Sequence, residues 1–391
     1  MKLRLSLFLL FAALGSAMAC TSTSAGDDDG DDDDSVASSS GAPDGSSGQA
    51  GSSGRAGSSG TSGSSGQAGS SGAALPEGTL LYVRSAGDDR DELVARELST
   101  SSERVITDLT GDGSSGWEIR GYALSPNRRR IALASLFGPT AEDTATGLAT
   151  RAIWTLATDG SDFRRLTPTF PNTADGRQNF TIEVSEPMWT DDGANVLYDF
   201  GNYWWEGTQI RGGSLPWSVA ASGASLPSSW DTPLGCSVIY PSRNPTTGEV
   251  LLLHSVCVPG SGEEGLYLYP KNGGQAPRQL LATGRSQGIE LYLSTPGWFA
   301  DGSGFLFAAS NADTDWRPGL FVYDLGTQQA TRLLSPPVGS TVVGAAVSPD
   351  GNRIVYCLRD DDDTRDLYVI DVAAETNEPL TTDGKSCVPS F

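Results

Sequence analysis

Ala346-Val347-Ser348-Pro349-Asp350-Gly351, followed by Ile354-Val355-Tyr356, is the clearest copy of a unit that recurs along this chain: an apolar or aromatic residue, a short polar turn ending near glycine, then a strand. The turn has a chemical reason. Asp caps its own turn, and Gly takes up the positive φ that suits a tight hairpin. Met188-Trp189-Thr190-Asp191-Asp192-Gly193 precedes Val196-Leu197-Tyr198 in the same way, and Gly297-Trp298-Phe299-Ala300-Asp301-Gly302 precedes Phe305-Leu306-Phe307. Ala123-Leu124-Ser125-Pro126-Asn127-Arg128 before Ile131-Ala132-Leu133 is a further copy, and Ile239-Tyr240-Pro241-Ser242-Arg243-Asn244 before Val250-Leu251-Leu252-Leu253 is a degenerate one with a longer turn.

Each hairpin leads through a polar loop to a third strand, as in Leu320-Phe321-Val322-Tyr323 and Leu367-Tyr368-Val369-Ile370. A fourth strand with a basic-apolar signature follows at Arg164-Arg165-Leu166-Thr167, Arg278-Gln279-Leu280-Leu281 and Thr331-Arg332-Leu333-Leu334. Four antiparallel strands repeated along a chain without a helical pattern make an all-β propeller, in which radial packing hides the sheet edges. The termini supply the sixth blade. Gly78 to Leu109 holds three strands with no hairpin signature before them, and Cys387-Val388-Pro389-Ser390-Phe391 matches Glu186-Pro187-Met188-Trp189 and stops before the turn. Three strands and one make a blade that closes the ring.

Val347-Ser348-Pro349-Asp350-Gly351, Leu367-Tyr368-Val369-Ile370-Asp371 and Arg165-Leu166-Thr167 together resemble the TolB-type propeller repeat. The resemblance covers Gly78 to Phe391 and implies a six-bladed β-propeller of the TolB (WD40-like) kind. It says little about function. Proteins of that family carry an α/β domain ahead of the propeller, and this chain has a Gly/Ser-rich stretch there, so the family's Tol-Pal role is not carried over.

Residues 1–19 have the layout of a secretory signal, with Lys2 and Arg4 ahead of an apolar run from Leu5 to Leu14 and then small residues. Ala17-Met18-Ala19-Cys20 reads either as a lipobox, with Cys20 acylated, or as an ordinary cleavage site. The chain has five cysteines, and lipidation of Cys20 leaves an even number for an oxidising compartment. Residues 20–77 form a tether too poor in large apolar residues to offset the entropy of folding. Gly-Ser-Ser-Gly recurs there at 45, 51, 57, 63 and 69, after the acidic run Asp27 to Asp34. Such a segment has an r.m.s. span of roughly 40 Å. Residues 78–391 carry 23 basic against 39 acidic side chains, net −16, which argues against a nucleic-acid partner. The expected location is an exported, lipid-anchored protein of the outer membrane, periplasmic or surface-displayed, touching the membrane through its lipid alone and monomeric.

Cys236 and Cys257 flank one hairpin, and a Cys236–Cys257 disulfide is expected, closing a loop of about 20 residues and worth on the order of 3 kcal/mol. Cys387 occupies the place in its strand that Cys236 has in its own. That leaves Cys357 of the preceding blade as its partner, the alternative being two buried thiols.

Catalytic motifs fail on context. Gly284-Arg285-Ser286-Gln287-Gly288 has the spacing of a nucleophile elbow but lies between blades, with a single histidine, His254, in the whole chain. Gly260-Ser261-Gly262-Glu263-Glu264-Gly265 joins two strands instead of opening a helix, so it is a loop. His254 falls in a strand and has no second histidine with which to bind metal. No enzymatic activity, no cofactor and no metal are therefore expected.

The leading expectation is a module that binds an envelope protein or glycan. The alternatives are a structural or display role and a metal-dependent carbohydrate-active enzyme. The loops after the second strands all emerge on one face, among them Gly201 to Glu206, Asp313 to Trp316 and Asp360 to Asp363. Acids around a rim focus a negative potential, and Tyr203, Trp204, Trp205 and Trp316 offer aromatic contact area. With Asp361 and Asp362 they are the candidate binding residues, for a basic protein segment or for Ca²⁺ and a glycan together.

Overall fold

The computed structural model describes residues 72–391 except 88–89, 111–118, 136–151, 168–177, 207–208, 224–226, 230–236, 256–263, 272–275, 284–289, 292–295 and 311–318. The chain divides into two units, Met1–Ala68 and Gly69–Phe391, and every described residue lies in the second. Among the described residues every named element is a strand, and no helix is long and apolar enough to cross a membrane.

The strands form six sheets. The first takes β1 (Thr79–Gly87), β2 (Arg90–Glu97) and β3 (Ser102–Thr110). The second is β4 (Ile119–Leu124), β5 (Arg130–Ser135), β6 (Ala152–Ala157) and β7 (Arg164–Arg165). In the third, β8 (Gln178–Trp189), β9 (Asn195–Glu206) and β10 (Gln209–Ala220) are long, and β11 (Ser228–Ser229) is short. The fourth is β12 (Ser237–Arg243), β13 (Val250–Ser255), β14 (Gly265–Tyr269) and β15 (Arg278–Ala282). In the fifth, β16 (Glu290–Leu291) and β17 (Gly297–Trp298) both pair with β18 (Gly304–Ser310), so its first strand is interrupted; β19 (Gly319–Asp324) and β20 (Gln329–Leu334) complete it. The sixth is β21 (Ser340–Val347), β22 (Arg353–Asp360), β23 (Arg365–Asp371) and β24 (Thr376–Pro379). The last strand, β25 (Ser386–Ser390), pairs with β1 through Leu81↔Ser390 and Val83↔Cys387. This is a six-bladed β-propeller with four antiparallel strand positions per blade, closed by strands from both ends of the domain.

The apolar runs are continuous because both faces of each sheet are covered, and the two-residue period of a strand deals the side chains alternately to the two neighbours. On β1, Leu81 and Val83 pack with Ile131 and Leu133 of the second blade, whereas Leu80 and Tyr82 pack with Val355 and Leu367 of the sixth. On β13, Val250 and Leu252 face Met188 and Leu197 of the third blade, while Leu251 and Leu253 face Phe305 and Phe307 of the fifth. A one-residue slip in any such strand would exchange the two sets of partners.

The repeated turn works as its chemistry requires. Gly193, Gly302 and Gly351 take φ of 66°, 66° and 70°, and the Asp192, Asp301 and Asp350 carboxylates accept the backbone N–H two residues on at 2.9, 3.0 and 3.0 Å. In the copy without glycine, Arg128 takes φ 58° itself. Its guanidinium donates to the Leu75 and Pro76 carbonyls at 3.0 and 2.7 Å, and the Leu75 N–H donates back to the Arg128 carbonyl at 2.8 Å. Leu75 is buried in the core between the first two blades. Residues 73–76, on the tether side of the boundary expected at 77/78, are thus fastened to the second blade, where Ala73 also accepts from the Thr158 hydroxyl at 2.6 Å.

One expectation about a loop is corrected. Tyr203, Trp204 and Trp205 lie on a strand, because β9 and β10 pair without a break from Asn195↔Ala220 to Glu206↔Gln209. Gly212-Gly213 and Pro216, which suggest a loop in the sequence, are accommodated within β10. On β2, Asp91 is buried and its Oδ2 accepts the Ile119 N–H of the next blade at 3.0 Å.

Candidate functional site

Residues of β4, β8, β12, β17, β21 and β25, one strand from each sheet, line a single cavity of about 810 Å³ along the middle of the ring. The wall is irregular for a reason visible in its residues. Four of the six strands reach the cavity with proline (Pro187, Pro241, Pro296, Pro389), and the other two carry Gly121 and Gly344. Pairing with the second strand slips at this place with proline or without it: the register shifts between Ser185 and Met188 and between Ile239 and Ser242, and equally between Ile119 and Gly121 and between Val342 and Gly344. The residue ahead of three of these prolines nevertheless takes a left-handed conformation, away from the extended region that a following proline favours, with φ of 48° at Glu186, 58° at Tyr240 and 55° at Val388. A non-glycine residue held there costs of order 1–3 kcal/mol and persists only where its surroundings fix it. Gly121 and Gly344 provide clearance: a Cβ on Gly121 would come within 3.1 Å of the Glu186 backbone, and one on Gly344 would lie 3.5 Å from Pro389.

The third-to-fourth blade junction holds a buried acid. Asp199, on β9, is 3% exposed and its Oδ2 accepts the N–H of the strained Tyr240 at 2.8 Å. Its Oδ1 has no hydrogen-bond partner. Burial pushes this carboxyl well above the ordinary range, and the Glu186 charge adds to the rise while the Tyr240 N–H opposes it. Burial also raises the Tyr122 phenol, again with help from Glu186. That hydroxyl donates to the Val388 carbonyl at 2.5 Å, linking the second blade to the closing strand.

Four arginines line the cavity (Arg120, Arg243, Arg359, Arg365), against one side-chain carboxylate, Glu186. Arg120 is exposed to the lumen. Arg243 is ion-paired with Asp191, which also meets Lys271 at 2.9 Å. Arg365 meets Asp363 at 3.0 Å and Arg359 the same carboxylate at 3.9 Å.

Of the rim residues read from the sequence, Asp361 and Asp362 are exposed in the turn that follows Arg359. Asp360 is occupied with its own turn: its carboxylate accepts from the Asp362 and Thr364 N–H groups at 3.1 and 2.9 Å and from the Thr364 hydroxyl. Trp316, Cys20, Cys236, Cys257 and Ser286 lie outside the described residues, as do the side chains of Tyr203, Trp204 and Trp205. Among the described residues no group of three or more His, Cys, Asp or Glu could hold a metal. Cys357 and Cys387 are joined by a disulfide. His254 is buried on β13, stacked on Tyr267 with ring centroids 4.0 Å apart and 2.6 Å from the Tyr269 hydroxyl. Burial lowers its pKa to about 4, so it is a neutral core residue. The cavity wall itself was not read from the sequence, although the x-Pro steps in the first strands were its signal.

No protein-family model matches the sequence, and no curated protein matches it significantly. Among solved structures the chain is similar to TolB from Acinetobacter baumannii, at 15% identity and a TM-score of 0.54, over 80% of this chain and 66% of that one. The fold is the TolB-type propeller. The chain spans just under two thirds of that TolB's length. The chain is also similar to an oligogalacturonate lyase in complex with manganese (11% identity, TM-score 0.46, 78% of this chain and 81% of that one). A third similar structure is a puromycin hydrolase S511A mutant (13% identity, TM-score 0.49, 80% of this chain and 54% of that one). These last two correct the expectation that the chain is not an enzyme: enzymes stand among the structures it resembles, and a fold does not fix function. Neither likeness lends this chain an activity.

Proposed function

We propose that this chain is an exported binding protein of a cell envelope, anchored through Cys20 and its tether, whose TolB-type propeller takes part of a partner into the central cavity. The observation that carries the reading is the cavity wall: one strand from each blade contributes, and three left-handed residues, Glu186, Tyr240 and Val388, are held there. Strained backbone collected in one concave place is a mark of a site that must keep its shape. Asp361 and Asp362, exposed in the turn that follows Arg359, and the aromatic residues Tyr203, Trp204, Trp205 and Trp316 are the candidates for contact with the partner's remainder. The signal-like residues 1–19 and the cysteine count support export and lipidation.

Site-specific photocrosslinking in intact envelopes tests the reading. A photoreactive side chain at Tyr240 should give one discrete adduct, and the same group at exposed Val105 on the outer strand β3 should give none. Adducts only at Val105 would place the partner on the outside of the ring.

A further inference from the structure

Resting on that reading, we propose that the segment taken into the cavity is an extended, carboxylate-rich peptide. The folded part of the chain is strongly acidic, yet the cavity presents four arginines and a single side-chain carboxylate. Acid is therefore kept to the outside and to the partners behind Arg243 and Arg365, while the guanidinium groups border the lumen. Arg120 is the most available of them: it is exposed, and among the described residues no ion pair or hydrogen bond is recorded for its guanidinium.

The basic groups are spread along the axis instead of meeting at a point. Arg359 pairs in register with Thr341 near the start of β21, whereas Arg243 closes the other end of its own strand beside the turn. The six residue steps from Thr341 to Val347 span about 20 Å at the usual strand rise. That spacing suits several carboxylates on an extended chain better than one small anion. A peptide is favoured over an acidic glycan because the wall is made of sheet edges, which recognise extended backbone. Proline removes the N–H donor at four of the edges. The two that keep it, at Gly121 and Gly344, belong to the blades that supply Arg120 and Arg359.

Fluorescence anisotropy on the full-length protein with labelled hexaglutamate, hexaserine, hexalysine and trigalacturonate decides the matter. Hexaglutamate should bind, more weakly as salt is raised, and Arg120→Gln with Arg359→Gln should weaken it by about tenfold or more, as for loss of charge-assisted hydrogen bonds. A third variant, Val343→Trp, fills the lumen without changing charge and should abolish binding. If hexaglutamate binds no better than hexaserine or hexalysine, or is indifferent to the arginine changes, the acidic-peptide inference is overturned and the cavity reading stands. Preference for trigalacturonate would overturn the peptide in favour of a glycan. Hexaglutamate binding that survives Val343→Trp would overturn the cavity reading itself. Circular dichroism confirms that each variant is folded.

Discussion

Cys357 on β22 and Cys387 on β25 form a disulfide, with Cα atoms 5.2 Å apart, that joins the sixth blade to the strand closing the first. The bond spans 30 residues of sequence, for which loop entropy gives a stabilisation of about 3–4 kcal/mol. Reductant should lower the denaturant midpoint of the native protein, and Cys357→Ser/Cys387→Ser should start from the lower midpoint and ignore reductant. An unchanged midpoint on reduction would mean that strand pairing alone holds the ring shut.

His254 makes the fold acid-sensitive. Its native pKa of about 4 lies below that of an unfolded histidine, near 6.5, so the unfolded chain binds the proton first. The associated stability is complete above pH 6.5 and is lost as pH falls toward 4, by up to about 3 kcal/mol. Urea midpoints at pH 7.5 and 4.5 should differ less in His254→Gln than in the native protein.

Asp199 titrates in the opposite sense. Its carboxyl is raised by burial, so the neutral form belongs to the fold, and stability is lost as pH rises toward the native pKa. Asp199→Asn keeps an acceptor for the Tyr240 N–H and should gain on the native protein between about pH 4 and pH 7, because the unfolded carboxyl ionises at about 3.9 while the buried one resists ionising. Asp199→Ala leaves that N–H unpaired and should cost about 1–3 kcal/mol at either pH.

Gly302 and Gly351 share a backbone conformation but not their surroundings. A Cβ on Gly302 would stand 2.2 Å from Thr246 Oγ1 and 2.3 Å from Asn244 Oδ1, and one on Gly351 would meet nothing within 4 Å. Asn244 is fully buried and donates to the Gly302 carbonyl at 2.9 Å, tying the fourth blade to the fifth. Gly302→Ala should therefore cost about 1–3 kcal/mol more than Gly351→Ala. Equal thermal shifts would show that the backbone alone sets the penalty.

The ring was legible because its two informants are local: Ser-Pro-Asp-Gly turns, and strands such as Val250 to Leu253 that are apolar on both faces. Closure was legible because Cys387 to Phe391 is a fragment of the same repeat. The cavity was not. Arg120, Glu186 and Val343 are unremarkable in sequence and acquire their positions from bulges that depend on the neighbouring strand. The β9–β10 ribbon was missed for the converse reason: glycine and proline argue locally for a loop, and long pairing overrides them.

The clasp between Leu75 and Arg128 has a mechanical meaning. Traction on the chain ahead of Ala73 is received by the second blade before it can reach β1, the strand on which β25 depends. The ring's join is thus out of the line of load, and a pull strong enough to free Leu75 from its pocket is needed before the closing strand feels any of it.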